Sequence, residues 1–363
     1  MRFACVLSLL FLLATGNAHS QQTDAGQPTL RVRTTLVEVP ALAKTKQGTV
    51  VFDLTAKDFS LTDNGVPQHF TLEPDTDSEP LALAICVQTG GAGVRHMNDY
   101  QHLGPILDAL IGGVDRNVAL IGFDSSPHLL QPFTLDTSKV YDDLSVLQPG
   151  DSGAAILDGV AFAVAQLQTQ PANFRRAILL FSETVDHGST TLPGNAMRLI
   201  GDTNTTLYSF AFSSTRAAVS HEKDGFRRAD QPGPPHGCFS RDGADAEYDG
   251  HYSRQVLDCF SQLAPPLRLA TMAFLATRSG LRTNTAASVA QLTGGEFIPF
   301  SNAKDLRQHL IAMSRDVLNH YVLSFRPTSP TPGLHALHLE VATRPQLVLT
   351  SRSAYWIDDE PGH

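Results

Sequence analysis

Two short stretches of this 363-residue chain hold side chains able to do chemistry. One is "GDSG", with Asp151 and Ser152; the other is "LLFSETVDHGS", with Glu183, Asp186 and His187. A serine hydroxyl, an imidazole and carboxylates are the parts of a hydrolase. The hydroxyl attacks, the ring takes its proton and an acid orients the ring. Such groups gathered in one cleft shift one another's pKa values, which marks reactive sites. A hydrolase built on Asp151, Ser152, Glu183, Asp186 and His187 is therefore one candidate function.

Other readings compete for the same residues. "GDSG" is the tetrad around the nucleophile of trypsin-like serine proteases, which also need an earlier histidine base and a buried aspartate. His96, His102 and His128 precede it here, in no such setting. The chain after Ser152, "AAILDGVAFAVAQLQ", turns directly into a helical pattern. Asp151 or Ser152 acting as that helix's N-cap accounts for the motif without an enzyme. The acidic stretch "RDGADAEYDG", with Asp242, Asp245, Glu247 and Asp249, lacks the alternate-position spacing of a calcium loop and reads as solvated. His335 and His338, three apart in a strand pattern, fall on opposite faces and read as surface histidines. "TGG" at Thr293–Gly295 precedes a strand, whereas phosphate loops open a helix, so it reads as a tight turn.

The elements that must position these residues are legible in the pattern. "LALAICV", "NVALIGF", "AILLF" and "TLYSFAF" are continuous apolar runs, and amphipathic stretches lie around 98–112, 154–170 and 303–318. Such alternation predicts an α/β fold: a doubly wound, mostly parallel sheet covered on both faces, over residues 80–318. Its first strand runs into "QTGGAG", at the kind of strand end where open α/β sheets hold ligands. Residues 214–284, rich in Gly, Pro, Arg and Asp before a helical stretch at 253–278, read as a surface insertion.

Residues 29–79 and 319–357 carry period-two β patterns, with "DNG" as a hairpin turn and "EPDTDSE" as an acidic linker. Neither flank is long enough for a core of its own. The expectation is one small β-sandwich made from both ends of the chain, with the wound domain inserted and 358–363 left as a tail.

Apolar residues make up 42% and charged residues 17%, which is ordinary globular material, and the net charge of −9 argues against a nucleic-acid binder. Residues 1–20 have the charged start, short apolar core and small-residue cut site of a secretory signal peptide, followed by a flexible start at 21–28. The apolar run is shorter than the roughly 20 residues that span a bilayer. The mature chain is expected to be secreted or periplasmic, with no membrane span. Of its cysteines, Cys86 reads as a buried free thiol, and Cys238 and Cys259 as a disulfide of an exported protein.

Four motifs in order carry a family resemblance over most of the mature chain: "VFDLTAKDFSLTDNGVPQHFTL", "VAQLTGGEFI", "HYVLSFRP" and "SRSAYW". Together they resemble the von Willebrand factor type A-related proteins of the acidobacterial type. The resemblance implies a metal-ion-dependent adhesion site in which Asp-x-Ser-x-Ser, a Thr and an Asp hold Mg²⁺. That hard ion wants about six oxygens in octahedral array. The matching positions here are Gln88, Gly90, Ala92, Ala154 and Glu183, so the site reads as degenerate. No cofactor is expected; a shifted Mg²⁺ or Ca²⁺ site on Asp151, Ser152 and Glu183 is the alternative. The resemblance implies a non-catalytic module binding an unidentified protein partner. Thr89, Asp151, Ser152, Glu183 and Asp186, or the 214–284 insertion, would form the contact. An exported hydrolase and a structural subunit of an envelope assembly are the alternatives.

Overall fold

The computed structural model describes residues 36–73, 79–101, 103–104, 107, 115–201, 204–212, 281, 283–313 and 321–358. The expected leader, the 21–28 start, residues 74–78 of the linker, Cys238, Cys259, the 241–250 stretch, the 253–278 stretch expected to be helical and residues 359–363 of the tail lie outside them.

The chain opens with β1 (Val37–Lys44), β2 (Phe59–Asp63), β3 (Val66–Pro67) and β4 (Phe70–Leu72). The β2–β3 turn is Asn64-Gly65, with φ of 48° and 81°. Both residues are left-handed, as the two-residue turn matching strand twist requires. Strand β5 (Leu81–Gln88) follows, buried along its whole length, then the short helix α1 (Met97–Tyr100). Next come β6 (Arg116–Phe123), β7 (Pro127–Thr134), α2 (Thr137–Ser145) and α3 (Ile156–Gln168). The wound region continues with β8 (Arg175–Glu183), α4 (Pro193–Gly201), β9 (Thr205–Phe212), α5 (Thr285–Thr293), β10 (Phe297–Phe300) and α6 (Ala303–Met313).

Six strands form one sheet in the order β10-β9-β8-β5-β6-β7, all parallel except β7, which runs antiparallel to β6. Alternation along β5 explains why its sequence is apolar throughout. Leu81, Leu83, Ile85 and Val87 pack under α1, α2 and α6 on one face. Ala82, Ala84 and Cys86 pack under α3, α4 and α5 on the other. Cys86 is a buried free thiol whose pKa burial pushes up. Elements with no sequence signal read above include α2, α4, α5 and the edge strand β7, whose Pro127 and Pro132 suit an edge. "TGG" is a turn: Gly294, at φ 80°, ends α5 in the left-handed conformation.

The chain closes with β11 (Tyr321–Phe325), β12 (Gly333–Val341), β13 (Val348–Ser351) and β14 (Ala354–Ile357). These pair with the N-terminal strands in two four-stranded sheets, β13-β1-β11-β4 and β14-β12-β2-β3. Val37, Val39, Leu323 and Phe325 from the first sheet share a core with Leu61, Leu337, Leu339 and Val341 from the second. Among the described residues no helix is long and apolar enough to cross a membrane.

Candidate functional site

In chain order the wound sheet runs third, second, first, fourth, fifth, sixth. The order reverses between β5 and β8, and crevices for ligands open at the carboxyl ends of such strand pairs. Gln88 ends β5 and Glu183 ends β8, so both stand at this switch point.

They are bonded to each other. Gln88 Nε2 donates to Glu183 Oε1 at 3.0 Å and to the Gly90 carbonyl at 3.0 Å. The Glu183 backbone N–H donates to Gln88 Oε1 at 2.8 Å. With Gln88 0% and Glu183 2% exposed, this is a buried clamp in which both amide hydrogens and the amide oxygen have partners. His187 Nε2 lies 3.5 Å from Glu183 Oε2, and its backbone pairs with Ala154 through two bonds of 3.0 and 2.8 Å. The second and third rim loops are thereby fastened together.

The glycines of the first loop are packed, not open. A Cβ built on Gly90 would lie 2.5 Å from the Gly153 carbonyl oxygen and 2.6 Å from Asp124 Cβ. The loop approaches its neighbours too closely for any side chain, and Gly91 N–H bonds the Asp151 carbonyl at 2.8 Å. Gly150 and Gly153 are likewise pressed against Asp124 and Ser125.

Asp124, which the sequence reading passed over, organises the second loop. Its carboxylate accepts from Ser126 N at 3.0 Å and Asp151 N at 3.2 Å, and its carbonyl accepts from Ala155 N at 2.7 Å. Asp151 accepts from the Ser125 hydroxyl, Gly153 N at 2.7 Å and Ser125 N at 3.0 Å. The Ser125 hydroxyl, then the Gly153 amide, holds the Asp151 carboxyl below its ordinary pKa. An Asp directly after "NVALIGF" was the available signal, since it follows a buried strand at the same sheet edge.

Asp186 lies at the start of α3. Its Oδ1 accepts from Leu157 N at 3.0 Å and from the Ser189 hydroxyl at 2.6 Å. It therefore caps α3 from another loop, and neither Asp151 nor Ser152 is the N-cap; that position is Ala155, with no side-chain bond. Burial pushes the Asp186 carboxyl above its ordinary pKa, against the hydrogen bonds it accepts.

Thr89 is buried, and its hydroxyl donates to the Phe123 carbonyl at 3.2 Å. Ser152 is exposed, and among the described residues no hydrogen bond joins its side chain to His187 or to a carboxylate. His128 Nε2 faces both Ser126 Oγ at 3.3 Å and Asp124 Oδ1 at 3.4 Å. One nitrogen serving both partners cannot pass a proton between them as a triad does. Among the described residues, Ser126 and His128 are thus in contact without an acid orienting the ring from its other nitrogen.

The positions that the resemblance assigns to a metal are engaged within the protein. Gln88 is occupied by Glu183, Gly90 has no room for a hydroxyl, Ala92 packs against the core and Ala154 is buried in the loop bridge. Among the described residues no group of three or more His, Cys, Asp or Glu side chains is arranged to hold a metal. A cavity of about 170 Å³ lies at the opposite end of the sheet. Glu38, Glu79, Thr205 and Arg352 are among its walls, far from the chemistry considered above.

No protein-family model and no curated protein matches this chain. Solved structures do. BatB from Bacteroides thetaiotaomicron is 13% identical over 66% of this chain and 98% of its own, with a TM-score of 0.40. The VWA domain of SpRpn10 is 19% identical over 40% of this chain and 80% of its own, at 0.31. Proximal thread matrix protein 1 from the mussel byssus, with a zinc-occupied MIDAS motif, is 9% identical over 70% of this chain and 49% of its own, at 0.40.

Proposed function

We propose that this chain is an exported, non-catalytic protein-binding module. In this reading it is a von Willebrand A-like wound domain inserted in a β-sandwich of its own flanks, and its rim has lost metal-dependent ligand capture. The observation that carries the reading is the Gln88–Glu183 clamp. It fills the switch point with reciprocal protein–protein hydrogen bonds where a metal-dependent module would present free oxygens. The closed packing at Gly90 supports it, because no hydroxyl ligand can be accommodated there. The sheet order, with one antiparallel edge strand, supports the wound architecture. At the rim, the imidazole nitrogen beside Ser126 also faces Asp124, which is not the arrangement of a hydrolase triad and favours recognition.

Recognition then rests on the outer surface of the rim, around Asp151 and Ser152, or on the 214–284 segment. The metal half is tested by thermal unfolding with millimolar Mg²⁺ or Mn²⁺. A ligand that binds only the native state must raise the midpoint. No change is expected, and a rise of several degrees overturns the reading. The recognition half is tested by pull-down from an envelope extract, with and without residues 214–284. A partner retained by the full chain and lost on Ser152→Arg or on deletion locates the surface, and an empty pull-down from both counts against a binding module.

A further inference from the structure

The flank core contains a buried polar cluster that the proposed binding function does not use. Asp63 ends β2; His335 lies in β12 and Tyr355 in β14. His335 Nδ1 is 2.8 Å from Asp63 Oδ1 and 3.0 Å from Oδ2, and the Tyr355 hydroxyl donates to Asp63 Oδ2 at 2.7 Å. On the far side of the ring, Nε2 is 2.6 Å from the Thr331 carbonyl oxygen. The imidazole and carboxylate are each only 3% exposed.

A carbonyl oxygen can only accept, and the Asp63 carboxylate already accepts from Tyr355. The nearest partner of each ring nitrogen is therefore an acceptor, and a ring carrying hydrogen on both nitrogens donates to both. A neutral ring has one N–H and can donate to only one of these two acceptors. The cluster also joins residues from opposite ends of the chain: β2 pairs with β12, and β12 with β14.

We propose that Asp63, His335 and Tyr355 form a proton-dependent clasp, in which the doubly protonated His335 ring fastens the N-terminal hairpin to the C-terminal strands and its deprotonation loosens them. The groups facing the ring are Asp63 from β2, Asn64 Nδ2 at 3.4 Å from the β2–β3 turn, Tyr355 from β14 and Thr331 from the preceding loop. Arg352, on the loop before β14, acts on Tyr355, but its guanidinium is bonded to the Ala354, Glu38 and Gly201 carbonyls and to Asn204. Burial opposes charge on His335, and the bonds to Asp63 and Thr331 outweigh it, so the ring's pKa is raised. Burial first, then Asp63, pushes the Tyr355 hydroxyl up, which keeps it a donor.

The clasp sits on the strand that meets the wound domain. Tyr355 belongs to the flank core, while Trp356, on the opposite face of β14, packs against the α3–α4–α5 side of the wound sheet. Gly201 of α4 comes so close that a Cβ there would lie 2.9 Å from Trp356 N.

A raised folded pKa fixes the sign. The stabilisation is complete below the unfolded histidine value of about 6.5 and disappears as pH rises through the folded value. Between the two, the folding equilibrium changes up to about tenfold per pH unit. The experiment is ring nitrogen NMR of the full chain at pH 5.5–9, paired with urea unfolding of wild type, His335→Gln and Tyr355→Phe. Two N–H signals for His335 at pH 6 and titration above the ordinary histidine range are expected, and Tyr355→Phe, which leaves both acceptors of the ring in place, should keep both signals. The wild-type urea midpoint should fall with pH more steeply than that of His335→Gln. A neutral His335 ring at pH 6, or equal slopes in wild type and His335→Gln, overturns the proposal. The wild-type titration decides it alone if the variants do not fold.

Discussion

The wound domain and the flanks each bury one polar cluster, and the two are built on opposite terms. At the switch point, Gln88 meets Glu183 through an amide, which does not itself titrate. In the flank core, His335 meets Asp63 through a ring that must be charged to satisfy both of its neighbours. The first lies within a single rigid sheet whose two strands already pair from Leu81–Arg175 to Val87–Phe181. The second joins segments separated by 272 positions. The lesson is about where sensitivity can reside. An amide brings no proton of its own to a sheet edge, whereas an imidazolium at a chain junction makes that junction depend on protons.

The sharpest way to break this contrast is Gln88→Glu, which puts two carboxylates side by side where an amide now donates to one. Like charges at that distance raise the pKa of the pair strongly. With a shift of about two units, the cost at pH 7 is about 3 kcal/mol. The sign is that of an acid with a raised folded pKa: the penalty is absent below the unfolded Glu value of about 4.3 and grows as pH rises through the folded one. Urea midpoints should therefore fall well below wild type at pH 7 and approach it near pH 4.5. A pH-independent loss would mean the clamp is held by packing rather than by its hydrogen-bond pattern.

Gly90→Ser addresses the rim's geometry. It restores a hydroxyl at a position where the family resemblance calls for one, but the Gly153 carbonyl and Asp124 Cβ occupy the space. Overpacking of this kind costs roughly 1–3 kcal/mol. The variant is expected to be destabilised by that amount in urea and to gain no Mg²⁺-dependent rise in melting temperature. Normal stability together with new metal binding would show that the rim opens readily.

How much of this was visible in the sequence depended on whether the information was local. The Asn64-Gly65 turn and the two-sided burial of β5 follow from short-range rules, and the sequence reading reached both. The departure of Gln88, Gly90 and Ala154 from the ligand types that the resemblance implies was also visible. Their contacts were not, because the Gln88 partner lies 95 positions away and the Gly90 neighbours come from two other loops. The surface assignment of His335 failed for a reason that was within reach. It shares odd parity with Leu337, Leu339 and Val341, so it belongs to the buried face of β12, while His338 on the other face is exposed. A lone histidine weighed by type alone looked solvated; weighed by register it needed buried partners, and Asp63 and Tyr355 are those partners.

The α3 cap shows the same non-locality on the smallest energetic scale. Helices usually take a side-chain cap from the residue that precedes them, which is why Asp151 and Ser152 attracted that role. Here Asp186 reaches Leu157 N across 29 positions, so the cap doubles as a tie between the second and third loops. Asp186→Ala should cost about 1 kcal/mol, the usual value of a lost cap, and should speed hydrogen exchange at the Leu157 amide. Asp186→Asn separates the bond from the charge. Burial raises the carboxyl's pKa, so the ionised form is the disfavoured one in the fold, while an amide oxygen can still accept from Leu157. The Asn variant is therefore expected to match or slightly exceed wild-type stability at pH 7. A loss equal to that of the Ala variant would show that the negative charge at the first turn of α3, rather than the hydrogen bond, holds the two loops together.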